Sequence, residues 1–290
     1  MLDFPANSAV DSIERPTMDP VKIYDSDLRP PPMIEELRGL VRYKDLVGQL
    51  ISKGIKTRYK RSVLGVGWTM LHPLLTMTVL TLVFSGLFQF SRSDYALYVL
   101  SGLIVWSFFA QSTTAATGDL LWSGGLISKV LVPKSVFAVS AVGTAVINLL
   151  LALLVYALIA VALGRPIQPT VLLLPLPIVL LGLFSLGVGL AVSAAAVYFP
   201  DVLPTYEILL MAWMYLTPVI YPAELLPESV QNLLRFNPLF HLIQPFRAIL
   251  VEGRTPSVES LLVSSSFALS SLLVGWWLFT RKARDFAYRL

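Results

Sequence analysis

No cysteine occurs among the 290 residues, which excludes disulfides, thiolate metal sites and a cysteine nucleophile. Charge is scarce too: Asp, Glu, Lys and Arg together make up 14% of the chain, against about 25% in a soluble domain. Histidine is limited to His72 and His241, and by the topology derived below the two fall on opposite faces, so they make no His-pair metal site. None of H-E-x-x-H, G-x-S-x-G or G-x-x-x-x-G-K-[ST] is present. At the amino terminus, Asp3 and Pro5 stand where a signal peptide has a cationic and then an apolar stretch, so no cleaved signal is expected.

What is abundant is apolar surface. Hydrophobic residues make up 56% of the chain, and the mean hydropathy is +0.72, values expected of an all-α integral membrane protein. The sharpest feature is a charge step. Lys53, Lys56, Arg58, Lys60 and Arg61 precede Ser62, and from there to Phe90 no side chain carries a formal charge. Cations held at a cytoplasmic headgroup surface, followed by an apolar helix of about 20 residues, describe a chain entering a bilayer core about 30 Å thick from the inside.

Residues 1–32, with prolines at 5, 16, 20, 30, 31 and 32, read as a flexible cytoplasmic tail. Over 33–56, Ile34, Leu37, Leu40, Val41, Leu46, Val47, Leu50 and Ile51 recur at helical spacing with cations off the stripe, predicting an amphipathic interfacial helix. The six-span permease domain, 57–290, has spans expected at about 67–90, 95–116, 136–163, 171–198, 206–220 and 261–280. Pro175 and Pro177 predict a kink or tilt in the fourth. Prolines 222, 227, 238 and 245 cut the interval after the fifth span into pieces too short to cross, predicting a re-entrant helical hairpin between the fifth and sixth spans. With both termini inside, only Arg92, Arg165, Arg235, Arg247 and Arg254 of the 22 Lys and Arg fall outside, and the flipped topology would reverse that imbalance. This distribution reads as topology and not as a nucleic-acid surface.

Ion-coupled carriers place Asp, Glu, His or Lys within their spans. Here the apolar stretches of the second, third, fourth and sixth spans hold none, and Asn148 is their strongest hydrogen-bonding side chain. Energy for uphill transport must then come from an external ATPase docking on the inner face, and the interval 117–135 is the expected place. Asp201 and Glu207 form a candidate carboxylate pair, or a turn acid beside a helix start.

Three stretches, taken in order, carry a resemblance. R-Y-K-R-S-V-L-G-V-G-W-T-M-L-H-P-L-L covers 58–75, Tyr215-Leu216-Thr217-Pro218-Val219-Ile220-Tyr221-Pro222 closes the fifth span, and Asn237-Pro238-Leu239, His241-Leu242-Ile243 and Phe246-Arg247 follow. Together they resemble the polysaccharide-export permeases of type-2 ABC transporters, which export O-antigen, capsule or teichoic acid. The resemblance implies a homodimer in the bacterial inner membrane, two copies of a separate ATPase that binds ATP and Mg, and no cofactor or catalysis of the permease's own. It also implies a lipid-linked glycan threaded between the subunits. In this chain Arg58, Tyr59, Lys60 and Arg61 would meet the lipid pyrophosphate. Asp119, Trp122, Lys129 and Lys134 would couple to the ATPase, and Pro218, Tyr221, Pro222, Phe236, His241 and Phe246 would form the outer gate. One departure is Pro200-Asp201, where the family often has Arg-Asp after the fourth span.

Arg58 and Arg61 suit phosphate because guanidinium offers planar bidentate donors, although topology alone also accounts for a basic cluster. Gly65 and Gly67 serve either a bend beside a headgroup or close helix packing. Trp68, Phe84, Phe88, Trp106, Phe109, Trp213 and Tyr215 are candidates for a glycan channel over which sugar faces slide, with interfacial aromatic belts as the alternative. Two rival functions stand beside polysaccharide export. One is an ABC permease for a drug or small lipid; the other is an integral membrane transferase acting on a lipid-linked sugar, with Asp119, Asp201, Glu207 or His241 as its acid or base.

Overall fold

The computed structural model describes residues 31–59, 67–88, 91–124 and 132–289, and all regular structure among them is helical. The expected tail, apart from its last two positions, lies outside the described residues.

The axis of the bundle is α4, Arg92–Trp122. Ser91 caps it by accepting the Asp94 N–H at 3.1 Å, satisfying one of the free donors of the first turn. This helix is buried around most of its circumference, with Tyr95, Val99, Val105, Phe109 and Ala116 fully enclosed. A helix that is apolar all round requires neighbours all round, and they are α3 (Gly67–Phe84), α5 (Ser135–Ala162), α6 (Pro175–Tyr198), α7 (Val202–Leu216) and α9 (Pro238–Leu250). The outer layer is completed by α10, Val258–Lys282, which packs along α6.

Four helices, α4, α5, α6 and α10, are long and apolar enough to cross a membrane. The other two expected spans are shorter apolar helices, Leu71–Phe84 within α3 and Val202–Leu216. Pro175 lies in the first turn of α6, where a missing N–H removes no helical bond. A 3-10 helix, Pro169–Leu173, precedes it.

The crossing of α6 and α10 is set by Gly187 and Gly275. A Cβ at Gly187 would overlap the Ser271 backbone, and one at Gly275 would overlap the Gly187 carbonyl. Small residues let backbones meet in this way and exchange side-chain volume for close packing.

The amphipathic segment forms two helices, α1 (Pro32–Arg42) and α2 (Lys44–Tyr59). At Tyr43 the backbone bonds continue the helical pattern, from Tyr43 N–H to Gly39 O at 2.9 Å and from Val47 N–H to Tyr43 O at 3.1 Å. The apolar residues Ile34, Leu37 and Val41 of α1 are exposed. Beyond α7 the chain breaks into a 3-10 turn (Ala223–Leu225), α8 (Glu228–Leu234) and α9 (Pro238–Leu250). Seven and 13 residues are too few to cross a bilayer, and α9 buries Leu239, Leu242, Ile243, Phe246 and Ile249 inside the bundle. A short helix, α11 (Phe286–Arg289), ends the chain.

Candidate functional site

Two polar assemblies stand at opposite ends of α4. The first surrounds the break after α7. Once α7 stops at Leu216, the carbonyls of the Thr217–Pro222 loop lose their helical donors, and buried backbone must find others within the protein. Side chains from α9 and α4 supply them. Arg247 of α9 donates from Nη2 to the carbonyls of Pro218 at 2.6 Å and Val219 at 3.1 Å. Tyr95 and Tyr98, one turn apart on α4, donate to the carbonyls of Ile220 at 2.9 Å and Tyr221 at 3.1 Å. Asn237 donates to Thr217 Oγ1 at 2.9 Å while its Oδ1 accepts from Trp213 Nε1 at 3.1 Å and caps α9 through the Leu239 N–H.

Arg247 is only 5% exposed, and its guanidinium carbon lies 3.9 Å from the centre of the Tyr98 ring. That places a cation over an aromatic face in a desolvated setting, where the attraction is strongest. Gly102 leaves the room for this, since a Cβ there would come within 3.2 Å of Arg247 Nη2 and 2.9 Å of the Val219 carbonyl. Arg247 Nε has no acceptor among the described residues.

The second assembly lies at the Trp122 end. A cavity of about 530 Å³ opens between α2, α4 and α5. Lys53, Thr57, Gln111, Asp119, Thr144 and Asn148 give it a polar wall inside an otherwise apolar bundle. A pocket of about 20 Å³ adjoins it through Gln111 and Asn148 and reaches Pro73 of α3. Beside the cavity a junction ties α1, α5 and the chain end together. Glu36 accepts the Ser135 N–H at 2.9 Å, capping α5 from another helix. Lys134 donates to the Ala283 carbonyl at 2.5 Å, and Trp276 to the Met33 carbonyl at 3.2 Å. Tyr198 donates to Asp285 at 2.7 Å, with the Arg289 guanidinium over its ring at 4.2 Å. Partial burial pulls the Lys134 pKa below the usual lysine range, while Glu36 and Asp285 pull it back up.

Of the sequence-predicted residues, Lys60, Arg61 and Lys129 lie outside the described residues, as do the side chains of Arg58, Tyr59 and Trp68. Asp119 and Trp122 both line the Trp122-end cavity, and Trp122 is 83% exposed. Lys134 is engaged in the junction described above.

Among the aromatics, Phe109 is fully enclosed, with Trp106, Phe184 and Trp213 around it at 5.9, 5.5 and 5.3 Å between ring centres. Phe84 stacks on Phe88, which meets Tyr95. Tyr215 is exposed, and its carbonyl accepts from Tyr221 Oη at 2.7 Å. Of the gate set, Pro218 and Pro222 are buried, Tyr221 is half-buried and Phe246 is fully enclosed. His241 contacts the Arg235 carbonyl at 2.8 Å and stacks on Phe267, whereas Phe236 is exposed. Among the described residues no cluster of three His, Asp or Glu side chains is placed to hold a metal.

The chain aligns almost end to end with export permeases. It is 29% identical over 257 residues to the "O-antigen export system permease protein RfbA" of Myxococcus xanthus, covering 88% of this chain and 99% of that protein. A protein of the same name from Klebsiella pneumoniae is 27% identical over 84% of this chain and 94% of its own length. The "Polysialic acid transport protein KpsM" of Escherichia coli is 25% identical over 80% and 91% respectively. A family model described as "ABC-2 type transporter" matches residues 45–251, from the start of α2 to the close of α9, and the chain therefore belongs to the ABC-2 type transporter family.

Proposed function

We propose that the chain is the membrane permease subunit of an ATP-driven exporter that moves lipid-linked polysaccharide, of O-antigen, capsule or teichoic acid type, from the cytoplasmic to the outer side of a bacterial inner membrane. The observation that carries this reading is the chemistry of the long helices. Between Tyr95 and Gly118 of α4, throughout α5 and α6, and between Ser260 and Thr280 of α10, there is no Asp, Glu, Lys, Arg or His. Such spans offer no midplane charge to couple an ion gradient, so the work is supplied by a separate nucleotide-hydrolysing subunit. The near full-length likeness to proteins named as O-antigen export permeases and a polysialic acid transport protein supports the cargo class.

In this reading the Trp122 end is cytoplasmic and both termini lie there, because Arg38, Arg42, Lys44, Lys53, Lys56, Lys134, Arg281 and Lys282 gather at that end. α8 and α9 then form a re-entrant hairpin at the outer face. Arg247, Tyr95, Tyr98 and Asn237 hold its loop shut, with Phe236 and Tyr221 at the rim. Two copies of the chain associate along α3 and α7, whose Leu75, Val79, Ile208, Met211 and Tyr215 are exposed, and the glycan passes along that seam with Tyr215 among its contacts. The basic run Arg58–Arg61 receives the carrier pyrophosphate. Partner ATPases, two per pair of permeases, dock around Trp122 and Lys129, and their closure reaches α1, α5 and α10 through the Glu36, Lys134 and Trp276 contacts.

Deletion of the chain from its host, with surface polysaccharide and membrane-bound polymer both measured, tests the reading. Lipid-linked polymer accumulating on the cytoplasmic side and cleared by complementation is the expected result. Undiminished surface polysaccharide would remove it.

A further inference from the structure

Another cavity lies at the Arg92 end of α4, where Asp94 and Leu97 line it on either side of Tyr95 of the first assembly. Its volume is about 560 Å³, inside the range of roughly 300–1,000 Å³ typical of ligand pockets. Three features define its occupant. First, its floor and walls are apolar, formed by residues such as Leu97, Leu153 and Ile178. Second, its side toward the membrane is α5, where Leu150 and Leu154 line it while remaining 51% and 59% exposed. Leu150 and Ala160 both line it, and ten helical residues rise roughly 15 Å, half of a hydrocarbon core of about 30 Å. The cavity therefore runs from the membrane interface to the midplane, the depth of one leaflet. Third, its polar groups are confined to the rim at the interface end. Asp94 pairs there with Arg165, and Glu252 with Arg254, so that the charged rim consists of two ion pairs.

We propose that this cavity is a phospholipid site for a zwitterionic amine-bearing headgroup, of the phosphatidylethanolamine kind, with an acyl chain along α5. Arg165 receives the phosphate with charge-assisted donors, and the ammonium group lies between Asp94 and Glu252. A zwitterion leaves this balanced rim neutral, whereas an anionic headgroup would find the same guanidinium but add one uncompensated negative charge. The site depends on the bundle lying in a bilayer and not on the cargo exported, and its test requires neither transport nor the ATPase.

The test is native mass spectrometry of the delipidated full-length protein, titrated with phosphatidylethanolamine and phosphatidylglycerol of matched chains. Retention of phosphatidylethanolamine is expected to exceed that of phosphatidylglycerol about tenfold, the size of one charge-assisted bond. Ala157→Phe, which fills the cavity wall, should abolish retention. Arg165→Gln, on an exposed rim where folding is not at stake, removes the phosphate contact common to both lipids and should lower the retention of each, whereas Asp94→Asn with Glu252→Gln should bring phosphatidylethanolamine down to the level of phosphatidylglycerol. Equal retention of the two lipids, or unchanged retention in Arg165→Gln, would overturn the proposal. So would displacement of the phospholipid by a polyprenyl phosphate, which would assign the cavity to a carrier lipid.

Discussion

The Arg247 guanidinium rests 3.9 Å from the centre of the Tyr98 ring and donates to the two carbonyls, Pro218 and Val219, that follow the end of α7. One buried cation thus replaces the helical donors that the proline break takes away, and it fixes α9 to α4 and to the loop between them. Removing it leaves those acceptors without donors. Arg247→Met should lower stability by about 3 kcal/mol, seen as a fall in the melting temperature of the detergent-purified protein. Arg247→Lys, which keeps charge but loses the two-pronged donor, should fall between the two. In proteoliposomes both variants should leak small solutes that the parent retains. A sealed Arg247→Met protein would show that the loop does not close the outer face.

Gly187 and Gly275 form a single contact between α6 and α10. Gly187→Ala and Gly275→Ala should each destabilise by about 1–3 kcal/mol, because the added carbon meets backbone and not a movable side chain. Since the two sites touch, the double variant should cost less than the sum. Thermal unfolding of the four proteins measures the coupling directly, and strict additivity would mean that the helices do not cross there.

Trp122 is a large exposed aromatic at the end of α4. Trp122→Ala should change stability by less than about 0.5 kcal/mol, as surface substitutions do, yet reduce copurification of the partner ATPase and its transport-linked turnover. Full copurification would move the docking surface away from this residue.

Arg58→Glu with Arg61→Glu separates a headgroup contact from a topological anchor. Lost export is expected, with normal membrane insertion and normal ATPase association. Unchanged export would assign the pair to topology alone.

The helices α4, α5, α6 and α10 can be read from the long uncharged stretches, because the cost of burying charge acts over a whole helix and leaves a pattern along the chain. Finer features are set by partners far away in sequence. Pro175 and Pro177 predict a kink or tilt of the fourth span, and Pro175 opens α6 at the first turn, where proline costs no bond. Phe109 and Tyr215 are both aromatic residues of apolar helices, yet one is enclosed and the other exposed; that difference depends on Phe184 and Trp213 from other helices. Arg247 is visible only as an isolated cation within an apolar segment. Its role emerges when Tyr98, Pro218 and Val219, at separations of 28 to 149 positions, are brought around it. The cavities at 53, 119 and 148 and at 94, 165 and 252 are likewise products of packing.

The central claim is that transport by these uncharged spans is driven by nucleotide hydrolysis in a partner subunit. Its most direct test is translocation of lipid-linked polysaccharide into proteoliposomes holding the purified chain with or without its ATPase, in the presence of proton and sodium ionophores. Polymer should become protected only when both the ATPase and ATP are present, at a rate the ionophores leave unchanged. Uptake by the chain alone, driven by an imposed ion gradient, would contradict the account.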